Sequence, residues 1–169
     1  MIPPSSSLPW RRAVLVASLA LAGVLLVCAT PSIVRAQQAP VAGEAALETL
    51  DIETAAGPKH FSVEVMRDDT QRARGLMFRR FLPPERGMLF DFKREEPVAM
   101  WMKNTFLSLD MIFVDRTGRI VSIAENTEPL SERIIPSGGP VLAVLEVNAG
   151  TAQRLGIKPG DRLRHSLFR

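Results

Sequence analysis

Cysteine is almost missing from this chain, which has a single Cys28 among 169 residues. That cysteine lies within residues 1–36, where Arg11 and Arg12 precede an uncharged apolar run. We interpret this segment as an export signal that is cleaved after Ala36. The mature chain is therefore predicted to have no thiol, no disulfide and no thiolate metal site. Its stability must then come from a hydrophobic core, and about 120 residues are enough for one.

The apolar run of residues 13–29 also allows other interpretations of the N-terminus. It is shorter than the ~20 residues of a comfortable membrane span, but an uncleaved anchor is an alternative to a cleaved signal. The Arg11–Arg12 pair suggests twin-arginine export, and Cys28 is an alternative lipid-attachment site, although Val27 before it is bulky. Residues 37–46 are small and polar and predict a flexible leader. We expect a periplasmic or otherwise exported protein.

The chain that follows the predicted signal also has no excess of positive or negative charge. The full chain has a formal net charge of +3, from 21 basic and 18 acidic residues. Residues 1–36 contain three arginines and no acid, so the remaining chain has 18 residues of each sign. A basic surface for nucleic acid is therefore not expected, and we predict no nucleic-acid partner.

Catalytic and cofactor motifs are scarce as well. His60 and His165 lie far apart in predicted strands with no nucleophile beside them, which argues against a Ser-His-Asp or Cys-His site. The sequence has no H-E-x-x-H, no phosphate-binding glycine loop before a helix and no acidic calcium loop. Residues 137–140 are too short and proline-bound for a phosphate loop and predict a rigid turn. We therefore predict no cofactor and no metal site.

What the chain does have is a series of short stretches in which apolar and polar residues alternate. Only two short helices are indicated, near residues 68–75 and 149–155. About eight short strands with frequent turns predict a mainly β domain over residues 47–169, either a compact β-sandwich of jelly-roll type or a small barrel. The strands are predicted within residues 50–65 (a hairpin), 87–92, 98–102, 107–125 (the clearest hairpin), 141–147 and 162–168.

Three polar residues interrupt the most apolar stretch of this domain, Met100 to Asp115. Lys103, Asn104 and Asp110 lie in it, within a pair of strands that we expect to form a central hairpin covered on both faces. A carboxylate at Asp110 would then need a cation or several N–H donors. Lys103 and Arg74 are the cations that we expect to meet it.

Two interpretations of these polar residues are open. In the first, Asp110 forms a buried ion pair, and the amide of Asn104 ties the turn. In the second, an aromatic side chain and hydrogen-bonding groups line a pocket for a small polar or anionic ligand. We take this pocket as the leading functional hypothesis, which makes the protein an exported binding module. Its predicted lining is Arg74, Trp101, Lys103, Asn104 and Asp110.

Two other functions are alternatives. An envelope enzyme would use Asp110 or Glu146 as a general acid or base, with Lys103 or Arg74 as the electrostatic partner. A structural or interaction protein of the periplasm would instead act through a surface patch and have a protein partner. For the binding module we expect a small-molecule partner, with membrane attachment only through an uncleaved signal.

Methionine is frequent where cysteine is missing. Thioethers are soft ligands for Cu(I), and they are also flexible fillers of apolar cores. Because the spacing shows no compact Met-x-x-Met cluster, we interpret these residues as core. The methionines that follow the signal are Met66, Met77, Met88, Met100, Met102 and Met111.

Five motifs occur in the order of a known family. Over roughly residues 48–168 the chain resembles domain-of-unknown-function family 192 of bacteria and archaea. The resemblance implies a small, mostly β domain of sandwich or jelly-roll type, often exported, with no established activity, substrate or cofactor, and it assigns no site residues. Ser108 and Phe106 depart from the usual family residues. The motifs are RGLMFR (74–79), GMLFDF (87–92), MWMKNTFLSLDMIFVD (100–115), VLEVNAG (144–150) and IKPGD (157–161).

Overall fold

Residues 46–168 are described in the computed structural model, and they form seven strands and two short helices. The predicted signal peptide, residues 1–36, and residues 37–45 of the predicted leader lie outside the described residues. Within residues 46–168, neither helix has the length and apolar character to cross a membrane. The elements are β1 (Leu47–Thr54), β2 (Gly57–Met66), α1 (Asp69–Arg74), β3 (Arg86–Met100), β4 (Leu109–Val114), β5 (Ile120–Ala124), β6 (Ile135–Asn148), α2 (Thr151–Leu155) and β7 (Arg162–Arg164).

The seven strands form one sheet in the order β5-β4-β6-β3-β2-β1-β7. All neighbours are antiparallel except β2 and β3, which run parallel and are joined through α1. The sheet curls until its edge strands meet: the N–H of Ile120 donates to the carbonyl of Asp161 at 2.9 Å, and that of Leu163 to Gly118 at 2.7 Å. The mainly β prediction is confirmed, as a partly closed barrel made from a single sheet.

Helix α1 forms where the sequence predicts it, because both of its ends are specified locally. Asp68 precedes it, and its carboxylate accepts the N–H of Gln71 at 2.8 Å. The side chain of Gln71 returns to the N–H of Asp68, which completes a capping box. Gly75 ends the helix with a positive φ of 48°. These caps fix the position of Arg74 on the last turn.

The two faces of the curled sheet have separate hydrophobic cores. The inner core includes residues from both edge strands and is closed by α2, whereas the outer core is covered by the segment after α1 and by the loop after β3. The inner core consists of Leu50, Ile52, Phe61, Val63, Val65, Leu89, Ile112, Val114, Ile120, Ala143, Leu145, Val147, Ala152, Ile157 and Leu163. The outer core consists of Met66, Leu76, Leu82, Met88, Phe90, Val98, Met102, Leu109, Met111, Phe113, Val141 and Val144.

Methionine lies on one side of the sheet only. Four of the six methionines in residues 46–168 belong to the outer core, and Met100 packs against it. Met77 follows α1 on the same side, and the inner core contains no methionine. Most of the methionines are therefore core residues, as interpreted from the sequence, but they belong to the outer core alone.

The predicted central hairpin within residues 98–115 is wrong. β3 pairs with β6, where Met100 lies opposite Ile135, and β4 pairs with both β5 and β6. Strand β6 thus lies between β3 and β4, which run parallel, and residues 101–108 form a crossover loop rather than a turn. Alternation along a strand shows which faces are buried but not which strand lies beside it, so the pattern left the partner undefined.

Candidate functional site

Asp110 is fully buried, and its partners are backbone amides rather than a cation. Its carboxylate accepts hydrogen bonds from the N–H groups of Asn126 at 2.9 Å, Gly150 at 3.1 Å and Ala152 at 2.9 Å. The last two lie at the start of α2, whose N-cap residue, a glycine, has no side chain to cap the helix. Asp110 therefore caps α2 from strand β4. The expected ion pair is wrong because three N–H donors satisfy this carboxylate.

Lys103 and Asn104 lie in the crossover loop and hold it against its neighbours. The Nζ atom of Lys103 is 3.6 Å from the Glu132 carboxylate and 5.6 Å from the centre of the Trp101 ring. Asn104 has a left-handed backbone (φ 56°), and its carbonyl accepts the N–H of Phe78 at 2.9 Å. Its side-chain amide also donates to the sulfur of Met77 at 4.0 Å, so Asn104 ties the turn as the first interpretation expects, through both its backbone and its side chain.

Arg74 and Trp101, the other predicted site residues, line a cavity of about 280 Å³ on the outer side of the sheet. We name it the α1 cavity. Its walls come from the end of α1 and the loop after it, from β3, and from the crossover loop. Apolar and aromatic walls with a few polar groups are typical of small-molecule sites. The lining residues are Arg72, Ala73, Arg74, Gly75, Leu76, Met77, Phe90, Phe92, Ala99, Met100, Trp101, Thr105 and Glu146.

Glu146 is the one carboxyl group that lines the α1 cavity, and only 4% of the residue is exposed. It lies in β6 between Met88 of β3 and Met111 of β4 in the strand register. No residue within 46–168 forms a hydrogen bond or ion pair with its side chain. Burial among these apolar neighbours raises the pKa of Glu146 to about 8, so the group is mostly a neutral carboxylic acid at pH 7.

The two arginines beside the cavity have different environments. Arg72 is held by an ion pair with Asp69, donates to the carbonyl of Asp91 at 2.7 Å and lies 5.7 Å from the centre of the Phe92 ring. Arg74 is exposed, and no carboxylate within residues 46–168 pairs with it. Arg74 is therefore the cation of this cavity that is available to an anionic ligand.

Gly75 keeps the wall of the cavity thin at the end of α1. A Cβ atom at this position would lie 3.1 Å from the Phe90 ring, and the positive φ adds a backbone cost for any other residue. Glycine thus allows the chain to turn from the helix directly over an aromatic side chain of the outer core.

A second cavity of about 460 Å³ lies on the other side of the same wall. It shares Arg74, Gly75 and Met77 with the α1 cavity. Its polar lining includes Glu64 and Arg79, which pair with each other at 2.7 Å. The one carboxylate of this second cavity is thus already paired, in contrast to Glu146.

The sequence therefore identified part of this arrangement. Arg74 and Trp101 meet at the cavity, whereas Lys103, Asn104 and Asp110 lie outside its lining. Glu146 was predicted only in the enzyme alternative, as a general acid or base. The signal that could have identified it is the one used for Asp110, a single acidic residue within an otherwise apolar strand. Within residues 46–168, no group of three or more His, Cys, Asp or Glu side chains is arranged to hold a metal ion.

Comparison with known proteins gives a family and two structural relatives. Domain-of-unknown-function family 192, described as Uncharacterized ACR, matches residues 51–165. A crystal structure from Sinorhizobium meliloti 1021, described as a candidate transcription regulator, is 50% identical, with 73% of this chain and 97% of that chain covered and a TM-score of 0.71. A protein of unknown function from Novosphingobium aromaticivorans DSM 12444 is 41% identical, with 75% and 90% covered and a TM-score of 0.72. No curated protein matches the chain.

Proposed function

The chain belongs to domain-of-unknown-function family 192, and from that premise we propose that it is a binding protein for a small organic anion. The ligand occupies the α1 cavity, with its anionic group on Arg74, an apolar or aromatic body against Trp101 and Phe92, and a hydrogen-bonding group on Glu146. The observation that carries the proposal is the carboxyl of Glu146, which is buried in the cavity without a partner among the described residues.

An unpaired buried carboxyl is costly, and this cost supports the proposal. Only 4% of Glu146 is exposed, so its carboxyl is largely shielded from water and gains no hydrogen bond from residues 46–168 in return. A polar group that loses hydrogen bonds to water in this way costs up to roughly 1–3 kcal/mol by mutational measures. A ligand that hydrogen-bonds to Glu146 recovers this free energy on binding. Because the group is mostly neutral at pH 7, its O–H can donate to an oxygen of the ligand and does not repel an anion.

The charge and the walls of the cavity favour an anion with an apolar body. The unpaired guanidinium of Arg74 can hold a carboxylate or phosphate through two parallel N–H donors. Trp101 is half-exposed and Phe92 is partly buried, so both present aromatic surface to the cavity. At about 280 Å³ the cavity is close to the lower end of the ~300–1,000 Å³ range of ligand pockets, which favours a small molecule.

We place this binding in the cell envelope, because residues 1–36 have the features of an export signal. The description of one relative as a transcription regulator suggests DNA as another partner. However, the two helices in residues 46–168 have only six and five residues, and the chain after residue 36 is balanced in charge. Many DNA-binding motifs use a recognition helix, and a basic surface is the general electrostatic feature of DNA binding, so we favour a small-molecule partner.

Catalysis is the second candidate function, and it is favoured by the same carboxyl group. An acid with a pKa of about 8 in a cavity is suited to proton transfer near neutral pH. The cavity lining described within residues 46–168 provides Thr105 as its only hydroxyl and neither a histidine nor a cysteine. A nucleophile paired with a base is therefore lacking among these residues, so binding accounts for the geometry better.

Calorimetric titration with two aromatic acids tests the proposal. Phenylacetate provides a ring and a carboxylate, and 4-hydroxyphenylacetate adds a hydroxyl group that can bond to Glu146. We expect Arg74→Ala to weaken binding of both acids about tenfold or more, because hydrogen bonds to charged groups contribute about 1.5–3 kcal/mol. Glu146→Leu should remove only the preference for the hydroxylated acid.

Arg94→Ala is the matched control, since Arg94 is also an exposed arginine without a carboxylate partner in residues 46–168 and lies outside the cavity lining. It should leave both affinities unchanged. Native mass spectrometry of protein purified from its own periplasm should show a retained small anion. If neither acid binds at millimolar concentration and the purified protein carries no small molecule, the proposed function is wrong.

A further inference from the structure

Large apolar side chains are exposed mainly on three loops. Within residues 46–168, eight large hydrophobic side chains are exposed, and six of them lie in residues 76–82, 101–107 and 128–134. We name these three segments the loop face. Monomeric proteins seldom expose several large apolar side chains together, and such groups mark surfaces that bind a partner. The six are Phe78 (62% exposed), Phe81 (72%), Trp101 (48%), Phe106 (41%), Leu130 (55%) and Ile134 (57%).

Backbone hydrogen bonds join the three loops into one surface. The N–H of Phe78 donates to the carbonyl of Asn104 at 2.9 Å, which joins the first loop to the second. The N–H of Leu130 donates to Thr105 at 3.0 Å, and the N–H of Met102 to Ser131 at 2.9 Å, which join the second loop to the third. The six exposed apolar side chains therefore lie on loops that the backbone holds together as one framework.

Each loop of this face also contains a residue in the left-handed backbone region. These are Phe78 (φ 65°), Asn104 (φ 56°) and Leu130 (φ 62°). Asparagine tolerates this conformation, but phenylalanine and leucine do so at a cost. Two bulky apolar side chains are thus held toward water in an unfavourable backbone conformation, and strain of this kind concentrates at functional surfaces.

Cations alternate with the apolar side chains on the loop face. The guanidinium of Arg80 lies 5.0 Å from the centre of the Phe106 ring, and Lys103 lies 5.6 Å from that of Trp101. Arg80 and Arg133 have no carboxylate partner within residues 46–168. The three loops together contain four basic residues and two acidic ones. The basic residues are Arg79, Arg80, Lys103 and Arg133, and the acidic ones are Glu128 and Glu132.

We propose that the loop face docks onto an anionic phospholipid surface. Phe78, Phe81 and Trp101 insert at the boundary between headgroups and acyl chains, while Arg80 and Arg133 contact the phosphates. This inference shares Trp101 with the α1 cavity. The other residues that carry it lie outside the lining of that cavity, namely Phe78, Arg80, Phe81 and Arg133. Aromatic side chains beside cations suit the bilayer interface. Arg80 and Arg133 have no carboxylate partner within residues 46–168, so their charge complements the phosphates of an anionic lipid.

Quenching of Trp101 fluorescence by lipids with brominated acyl chains tests this docking in the full chain. Trp10→Phe makes Trp101 the only tryptophan, so the signal reports the loop face and not the N-terminal segment. We expect strong quenching with vesicles of phosphatidylglycerol mixed with brominated phosphatidylcholine, and little with vesicles of brominated phosphatidylcholine alone. Raising NaCl from 0.1 to 0.5 M should weaken the quenching, because salt screens the attraction to phosphate.

Two variants in the same background complete the test. Phe78→Ser with Phe81→Ser should weaken vesicle binding reported by Trp101 at least tenfold with an unchanged circular dichroism spectrum. A tryptophan at position 55, made as Ala55→Trp with Trp101→Phe, lies in the exposed turn between β1 and β2 and should remain unquenched. It lies at the far end of β2 from α1, about 30 Å along the strand.

Three outcomes would overturn the proposal. Quenching of Trp101 that is equal for anionic and neutral vesicles removes the role of the cations, and quenching that is unaffected by the double serine variant removes the role of the phenylalanines. A dimer in light scattering that dissociates in the double serine variant, with no response to vesicles, assigns the loop face to a second copy of the chain instead.

Discussion

Two buried acids in neighbouring strands show how differently one residue class is used in this protein. Asp110 accepts three backbone N–H groups, and Glu146 has no partner within residues 46–168. The first is therefore part of the framework, and the second is the chemical group around which a ligand is expected to bind. Each role predicts a different response to substitution.

Replacing Asp110 should destabilise the fold without changing the cavity. Asp110→Ala leaves the N–H groups of Asn126, Gly150 and Ala152 without their acceptor, so the free energy of unfolding should fall by about 3–5 kcal/mol. Asp110→Asn retains one acceptor oxygen and should lose about half as much. Urea unfolding measures both values. A loss below about 0.5 kcal/mol for the alanine variant would contradict this role.

Glu146 should make the stability of the protein fall as pH rises. Its pKa is raised from 4.5 to about 8 on folding, so the folded state binds the proton more tightly than the unfolded chain between these values. The stabilisation is complete below pH 4.5 and is lost as pH approaches 8, by up to about 5 kcal/mol. Glu146→Gln does not titrate, and its stability relative to the parent should rise over this window.

Urea unfolding of both proteins at several pH values between 4 and 9 measures this difference. His165 acts in the opposite direction, because burial lowers its pKa, but it is present in both proteins and its contribution cancels. A difference in stability that stays constant from pH 5 to pH 9 would show that Glu146 is already ionised in the folded protein.

At the scale of the elements, the sequence predicted those helices and hairpins whose structure depends on residues close together in the chain. The β1–β2 and β4–β5 hairpins and the capped helix α1 were predicted within a few residues. The pairing of β6 with both β3 and β4 was not, because it joins segments far apart in the chain.

The candidate site was also predicted only in part. Arg74 and Trp101 were identified from their chemistry, but only the pairing of β6 brings Glu146 to them. The amide donors that satisfy Asp110 come from residues 16 to 42 positions away in sequence. A sequence pattern therefore shows that a buried acid needs partners, but it does not distinguish amides, cations and a ligand.

Closure of the sheet depends on the turn before β5, which contains Gly118, and Gly138 in β6 provides a matched control. Gly118 and Gly138 have similar positive φ values of 81° and 76°. A Cβ at Gly118 would lie 2.4 Å from the carbonyl of Leu163, whereas a Cβ at Gly138 would meet nothing within 4 Å. The two alanine variants thus carry the same backbone cost and differ in one clash.

We expect Gly138→Ala to lower the free energy of unfolding by about 1–2 kcal/mol, the cost of a left-handed residue. Gly118→Ala should lose about 1–3 kcal/mol more, because the clash separates the edge strands. Urea unfolding gives both values, and hydrogen exchange of the Leu163 amide should increase only in the Gly118 variant. Equal losses would show that contact between the edges contributes little stability.

At the largest scale, residues 46–168 form a curled sheet with two cores that serve different purposes. The inner core is sealed by α2 and by the contact between the edge strands. The outer core is covered by loops that also form the α1 cavity and the loop face. The proposed functions therefore lie on the loop-covered side, and the enclosed side maintains the fold.

Because methionine is confined to the outer side of the sheet, the two sides differ in their sensitivity to oxidation. Met77 and Met100 are the only partly exposed methionines in residues 46–168, and both line the α1 cavity. Brief treatment with hydrogen peroxide should convert these two thioethers to polar sulfoxides first. We expect loss of ligand binding while the far-ultraviolet spectrum stays unchanged, and methionine sulfoxide reductase should restore binding. An oxidising environment would thus inactivate the binding site reversibly long before it unfolds the barrel.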